Sequence, residues 1–287
     1  MNLKLSTLLT GTPHEILQDA DSEITSVATD SRKVTSGTLF ICQKGLILDG
    51  HDFIPDAVNA GASTIMVEDE KAAFPAGVTV ILAENARRAT AHIAANFYGN
   101  PAKKMRLTGV TGTNGKTTTT HFIEEILRGC GRKTGLIGTV GASMGTQLMD
   151  VEISTSTTPD QLELHAIFAQ MLENGVQDVI MEVSSHALAL YKMEGLEFHA
   201  GVFTNLTQDH LDFHGTMDNY RAAKAKLFTQ SRFAVLNADD DSSATMLEYH
   251  GNGPCLTYGI ERDADLRAIN IKSRDNGYEF AEKCSQD

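Results

Sequence analysis

The stretch 107–130, LTGVTGTNGKTTTTHFIEEILRGC, constrains this chain more than any other part of it. A short strand-like run gives way to glycines and a lysine. A helical pattern follows, with apolar residues at 122, 123, 126 and 127. Strand, glycine loop and helix is the layout that cradles a phosphate, because the glycines let backbone N–H groups turn inward and the helix adds the positive end of its dipole. The run departs from the usual G-x-x-x-x-G-K-[ST] spacing, since Val110 stands five places before Gly115. The shorter G-x-x-G-K-T keeps Lys116 to reach β- and γ-phosphates and the Thr117 hydroxyl to bind Mg²⁺. Thr111, Gly112, Thr113, Asn114, Gly115, Lys116 and Thr117 are therefore the candidate nucleotide-binding residues. The plainer alternative is a polar turn that caps a helix.

The surrounding pattern names the architecture. TSVAT (25–29), TLFIC (38–42), STIMV (63–67) and VTVIL (78–82) read as strands, and ENARRATAHIAANF (84–97) as a helix packed on them. YGNPAKKM (98–105) marks a boundary, giving domains at 1–102 and 103–287. Beyond it GLIGTV (135–140), DVIMEVS (178–184), AGVFTNL (200–206) and FAVLN (233–237) read as further strands. The run 159–175 reads as a helix opened by proline and stopped by glycine. The expectation is an α/β protein: a small N-terminal α/β domain, then a doubly wound, mostly parallel sheet with ligands at the carboxyl ends of its strands.

Composition excludes several partners. The chain has 287 residues, 41% of them apolar, and a formal net charge of −13. That balance argues against a nucleic-acid backbone or an anionic membrane as the main partner. No apolar run approaches the ~18 residues of a spanning helix, and the N-terminus is a poor signal peptide. Cys42, Cys130, Cys255 and Cys284 are scattered without a C-x-x-C pair, which suits reduced thiols in the cytoplasm. A monomer is the expected state.

Three further segments carry chemistry. Glu182 ends an apolar strand ahead of Ser184, Ser185 and His186, where a carboxylate can face a metal beside a nucleotide. It can equally be a buried structural acid, and its neighbours can simply cap a helix. TNLTQDHLDFHGT (204–216) crowds Asp209, His210, Asp212 and His214 together after another strand. The i, i+4 histidines evoke H-E-x-x-H, but Leu211 stands where the glutamate is needed, so a hard Mg²⁺ ion fits better than zinc. RAAKAKLF (221–228) reads as a short helix whose Lys224 and Lys226, taken alone, are solvated. Ser31 and Arg32 lie between strands of the first domain, and STTPD (156–160) sets Thr157 and Thr158 before a proline-started helix that favours an anion.

Together TDSRKV (29–34), GLILDGHDF (45–53), VTGTNGKTTTT, STTPD, MEVSSHAL (181–188), FTNLTQDHLDFHGTM (203–217), AAK (222–224) and LNADD (236–240) resemble the Mur ligase family, and within it the muramoyl-tripeptide, MurE-type branch. The resemblance implies an ATP-dependent amide ligase of peptidoglycan precursor synthesis. Such an enzyme activates the D-glutamate carboxylate of UDP-N-acetylmuramoyl-L-alanyl-D-glutamate as an acyl phosphate, which the amine of a diamino acid (meso-diaminopimelate or L-lysine) then attacks. It implies catalytic roles for Lys116, Glu182, His210 and Lys224, and two Mg²⁺ ions held by Thr117, Glu182, His210 and Lys224, the last as an N-carboxylated (carbamate) lysine. It implies substrate contacts from Ser31, Leu46, Ile47, Leu48, Asn114, Thr157, Thr158 and Ser184.

Two departures from the family pattern stand out. Lys192 occupies the place of an arginine that contacts the acidic substrate, which keeps the charge and loses the bidentate fork. The family's C-terminal domain, which binds the incoming amino acid, is expected to be absent from residues 1–287. A non-catalytic paralogue that captures nucleotide precursor, and a folate- or cyanophycin-type ligase, are the alternative expectations.

Overall fold

Alternate residues of the N-terminal strands enter two different cores, which is why those strands read as unbroken apolar runs. The computed structural model describes residues 3–18, 23–45, 48–70, 74–275 and 277–284. It divides into two units, the first comprising Met1–Pro101 with Asp160–Ala169 and Leu190–Gly195. The last two segments had been read from sequence as part of the second domain.

The first unit opens with β1 (Leu3–Lys4), α1 (Leu5–Leu8), β2 (Glu15–Gln18), β3 (Glu23–Ile24) and β4 (Ser26–Ala28). It continues with β5 (Thr38–Ile41), α2 (Ile54–Asn59), β6 (Ala62–Val67), β7 (Thr79–Leu82) and α3 (Ala86–Phe97). Five strands form a sheet in the order β2-β7-β6-β5-β4, parallel except for β2, while β1 pairs with β3. Leu39, Ile41, Met66 and Ile81 pack with Leu5 and Leu8 of α1 and Ala86, Ala89 and Ile93 of α3. Phe40, Ile65, Val67 and Val80 pack with Ile54 and Ala57 of α2. Both faces are covered, as a parallel sheet requires. Asn85 starts α3 by accepting the Arg88 N–H.

The second unit holds Ala102–Pro159, Gln170–Ala189 and Leu196–Asp287. Along the chain come β8 (Arg106–Thr111), α4 (Lys116–Gly129), β9 (Thr134–Gly138), β10 (Gly141–Met144), β11 (Gln147–Leu148), α5 (Gln161–Glu173), β12 (Asp178–Glu182) and α6 (Ser185–Ala189). Then follow β13 (Phe198–Phe203), α7 (Leu211–His214), α8 (Met217–Thr229), β14 (Ser231–Asn237), α9 (Ser243–His250), β15 (Cys255–Gly259), β16 (Leu266–Arg274) and β17 (Gly277–Cys284). One sheet orders them β11-β10-β9-β12-β8-β13-β14-β15-β16-β17. Strands β9 to β16 in that order run parallel, and β10, β11 and β17 are antiparallel additions at its edges.

Strand β8 thus lies between β12 and β13. Val110, Ile180 and Val202 of those three strands meet Ile123 and Leu127 of α4, so the helix after the glycine loop is pinned to the sheet centre by its apolar stripe. The β10–β11 hairpin carried no sequence signal beyond Gly141 and Gly145, and the expected short helix at 221–228 is a longer one begun by the Thr216 cap. Among the described residues no helix is long and apolar enough to cross a membrane.

Candidate functional site

Three neighbouring parallel strands end side by side, and each delivers one part of the site. The register sets Glu182 of β12 beside Val110 of β8, and Phe203 of β13 beside Thr111 of β8. The glycine loop, the Glu182 carboxylate and the segment after Phe203 therefore meet at one sheet edge. This is where an open α/β sheet presents its ligand site.

Gly112 adopts φ 153°, and a Cβ there would fall 1.9 Å from the Thr204 Oγ1, so no other residue fits. The loop leads through Gly115 into α4, whose first return bond is Thr119 N to Gly115 O at 2.9 Å. The N–H groups before it are those an α-helix leaves without a partner in its own ladder. The sequence reading had several loop N–H groups turned toward an anion. Two of them are engaged otherwise: Thr113 N donates to Asn205 O at 2.8 Å, and Asn114 N to Asn205 Oδ1 at 3.0 Å. The helix-opening donors are the ones left for a ligand.

Glu182 is buried at 1% exposure and holds the loop from the side. Its Oε1 accepts the Thr117 hydroxyl at 3.0 Å and the Thr139 N–H at 2.9 Å, and its Oε2 accepts the Thr139 hydroxyl at 3.2 Å. Gly138 makes room for it, since a Cβ there would lie 2.3 Å from Oε1. Thr158 Oγ1 donates to the Glu182 carbonyl at 3.0 Å and accepts the Ser184 N–H at 3.1 Å. Thr157 Oγ1 lies 3.4 Å from the Thr139 hydroxyl. Thr158 and Ser184 are thus tied to the Glu182 backbone, and Thr157 is linked to its carboxylate through Thr139.

Two lysines converge on one carbonyl. Lys116 Nζ donates to Gly112 O at 3.0 Å and to Thr113 O at 2.9 Å, and Lys224 Nζ donates to Gly112 O at 2.7 Å. Lys224 shares its helical face with Tyr220, Ala223 and Leu227, and it is as buried as they are. Its ammonium sits 4.6 Å over the Tyr220 ring, whose hydroxyl lies 3.2 Å from Thr113 Oγ1. Burial pulls the Lys224 amine down to about 7, with the Lys116 charge pushing the same way and Asp209 opposing. Burial lowers Lys116 too, against the attraction of Glu182 and Asp209. The solvated reading of Lys224 is corrected by the packing of its helix face. Lys226 is only half-buried.

The remaining candidates fall as follows. His210, at φ 51°, is about half exposed; its ring packs edge-on against His186 at 4.8 Å and lies 6.2 Å from that of Tyr220. His214 is buried, with Nε2 2.9 Å from Ser185 Oγ, and burial pushes it down to about 4. Ser31 and Leu48 belong to the first unit, as does Lys192, which pairs with Asp160 at 2.6 Å. Leu46 and Ile47 lie outside the described residues. Sequence reasoning gave no role to Thr139, Thr204, Asn205 or Tyr220; the FTNL run was on view, but its pairing with the loop depends on strand order.

Among the described residues no three His, Cys, Asp or Glu side chains form a ready metal cage. The Thr117 hydroxyl and the Glu182 carboxylate are hard oxygen donors in contact, a set that fits Mg²⁺ sharing its shell with phosphate oxygens and does not suit zinc.

Family models match both parts of the chain. The Mur ligase middle domain matches residues 110–286, and the Mur ligase family catalytic domain matches 23–98. The chain belongs to the Mur ligase family. Among curated Mur ligases it is 41% identical over 281 residues to the UDP-N-acetylmuramoyl-L-alanyl-D-glutamate–2,6-diaminopimelate ligase of Clostridium perfringens (strain 13 / Type A), covering 96% of this chain and 57% of that protein. It is 44% identical over 288 residues to the enzyme of the same name from Geobacillus thermodenitrificans (strain NG80-2), covering 97% and 58%. A solved structure of a ligase of that name superimposes with a TM-score of 0.86 at 27% identity, over 100% of this chain and 58% of that one. MurF from Acinetobacter baumannii shares the fold, with a TM-score of 0.63 at 20% identity, over 98% of this chain and 60% of that one. The chain spans a little over half the length of the curated relatives it matches.

Proposed function

We propose that this chain carries the nucleotide and UDP-precursor sites of an ATP-dependent amide ligase. The ligase joins a diamino acid to UDP-N-acetylmuramoyl-L-alanyl-D-glutamate in peptidoglycan precursor synthesis, and so serves cell-wall biogenesis, cell shape and division. The observation that carries this reading is the direct contact of Thr117 with the buried Glu182 at the mouth of the glycine loop. The names of relatives at 41% and 44% identity support the substrate class.

Phosphoryl transfer from ATP to a carboxylate brings two anions together, so the protein's work is positioning and charge neutralisation. Lys116 releases the loop carbonyls and turns to the β- and γ-phosphates. Thr117, Glu182, His210 and a carbamate on Lys224 would hold two Mg²⁺ ions, whose chemistry would be to neutralise charge on phosphate and carboxylate oxygens. The lowered Lys224 amine is suited to carbamate formation: its nitrogen attacks the carbon of CO₂, an N–C bond forms as one C=O π pair moves onto oxygen, and the nitrogen's proton passes to water. Within the second unit, Asn114, Thr157, Thr158 and Ser184 are assigned to the muramoyl-dipeptide; within the first, Lys192 is assigned to an acidic group of the substrate. Ser31 and residues 46–48 take the UDP moiety. The diamino acid displaces phosphate from the resulting acyl phosphate. The protein acts in the cytoplasm as a monomer.

Titration calorimetry with Mg-ATP and with UDP-N-acetylmuramoyl-L-alanyl-D-glutamate tests the reading. Both should bind with micromolar to sub-millimolar affinity, and no binding of either at millimolar concentration would overturn it.

A further inference from the structure

The glycine loop has Val110 where the usual motif has its first glycine, so its two glycines stand two residues closer, and the structure shows what braces it. Asn205, two residues past β13, presents both ends of its side-chain amide to the backbone of Asn114. Oδ1 accepts the Asn114 N–H at 3.0 Å, and Nδ2 donates to the Asn114 carbonyl at 3.1 Å. Its own carbonyl accepts the Thr113 N–H at 2.8 Å. Thr204 adds its hydroxyl, which donates to Asn114 O at 2.7 Å and occupies the space a side chain at Gly112 would need.

We propose that Asn205 is a positioning residue for the phosphate-binding loop: its amide pairs with Asn114 as a neighbouring strand's peptide would, and so fixes the turn that aims Lys116 and the opening of α4. The inference rests on the reading of this loop as an ATP site. Asparagine is the side chain that does this at such short reach. Aspartate keeps the acceptor, loses the donor and sets a negative charge beside the phosphates, alanine loses both, and glutamine is one methylene too long. The brace is itself held from behind. Asp240 accepts the Leu206 N–H at 2.7 Å and the Ser242 N–H at 2.8 Å, and Asn237 Nδ2 donates to Thr204 O at 2.8 Å. Asn237 at the end of β14 and Asp240 in the turn after it thereby fix the segment 204–206, which in turn fixes the loop.

The test compares Asn205→Ala and the near-isosteric Asn205→Asp with the wild-type chain. Calorimetry measures Mg-ATP and UDP-N-acetylmuramoyl-L-alanyl-D-glutamate, and circular dichroism checks folding. Loss of two side-chain hydrogen bonds should weaken Mg-ATP binding roughly 10-fold in Asn205→Ala, with a larger loss in Asn205→Asp, while the UDP-substrate, which meets the braced backbone through Asn114 alone, should lose clearly less. Hydrogen exchange on the unliganded wild type supplies a reading that needs no variant, since the Asn114 amide should be protected and that protection should vanish in Asn205→Ala. Folded variants that bind Mg-ATP like wild type, equal losses for both ligands, or an unprotected Asn114 amide in wild type would each overturn the inference. Failure of the wild type to bind Mg-ATP is a different result and would sink the ATP reading itself.

Discussion

Replacing Glu182 with glutamine separates the two jobs that its position implies. The carboxylate accepts three hydrogen bonds, two on Oε1 and one on Oε2. A glutamine carbonyl oxygen has two lone pairs and can keep the Thr117 and Thr139 N–H bonds. The amide nitrogen then meets the Thr139 hydroxyl, which can accept from it and turn its own proton toward Thr157 Oγ1, 3.4 Å away. Every partner stays satisfied, so Glu182→Gln should cost within ~1 kcal/mol of stability. Glu182→Ala leaves the Thr139 N–H without its acceptor beside a new cavity, and should cost roughly 2–4 kcal/mol.

Ligand binding should divide the variants differently. Glutamine is neutral, so it loses the anion that faces Lys116 and any cation on Thr117. A charge-assisted interaction of ~1.5–3 kcal/mol corresponds to about 10- to 100-fold in affinity. Mg-ATP should therefore bind Glu182→Gln that much more weakly. Metal-free ATP, measured in a chelator, should bind no worse than to wild type, because a negative neighbour of the phosphates has gone. Urea unfolding and calorimetry read the two effects independently. Equal destabilisation by Gln and Ala, or equal loss of Mg-ATP and metal-free ATP in Glu182→Gln, would refute the reasoning.

Two further outcomes follow from buried bases. Carbamate formation at Lys224 requires the neutral amine, whose fraction falls as pH drops below about 7; ¹³C-labelled bicarbonate should give a protein-bound carbamate resonance that fades from pH 8 to pH 6 and is absent in Lys224→Arg. His165 of the first unit is 2% exposed, its Nδ1 has no partner among the described residues, and burial lowers it from 6.5 to about 4, with His92 adding to the effect. Its folded value lies below its unfolded one, so the unfolded chain binds more protons between the two. Stability present above pH 6.5 should be lost on acidification toward pH 4, by up to about 3 kcal/mol, and His165→Leu should flatten that part of the profile of urea-unfolding free energy against pH.

The sequence disclosed much of this site because its strands are short, apolar and end in distinctive residues. Glu182 falls at the end of its strand, and Lys116 opens its helix, because local periodicity governs both. Lys224 was a different case: its helix was visible, but its burial depends on which face meets the sheet, and only the family resemblance lifted it from the solvated reading. Thr139 and Asn205 stayed without roles for a physical reason. Their contacts arise from β9 lying beside β12 and β13 beside β8, pairings between segments 43 and 91 positions apart that no local pattern encodes. Lys192 shows the converse, where an expected substrate contact is preceded by an ion pair with Asp160, itself part of the quoted STTPD run.

The short loop raises a question of energy as well as of lettering. A phosphate cradle must hold N–H groups and a lysine in place against the entropy of a glycine-rich turn, roughly 1–2 kcal/mol per residue fixed. In the longer motif the wider spacing of the two glycines lets the loop wrap the anion with its own backbone. Here the backbone of Thr113 and Asn114 is ordered by the neighbouring chain segment, and the anion is left to the helix opening, Lys116 and Thr117. Ordering the loop in advance lowers the cost of ligand binding, since less freedom remains to be lost. It also ties the loop to β13 and β14, so a shift of those strands would be felt at Lys116 through Asn205. The shortened motif is then a complete one, with part of its structure supplied by a segment some ninety residues further along the chain.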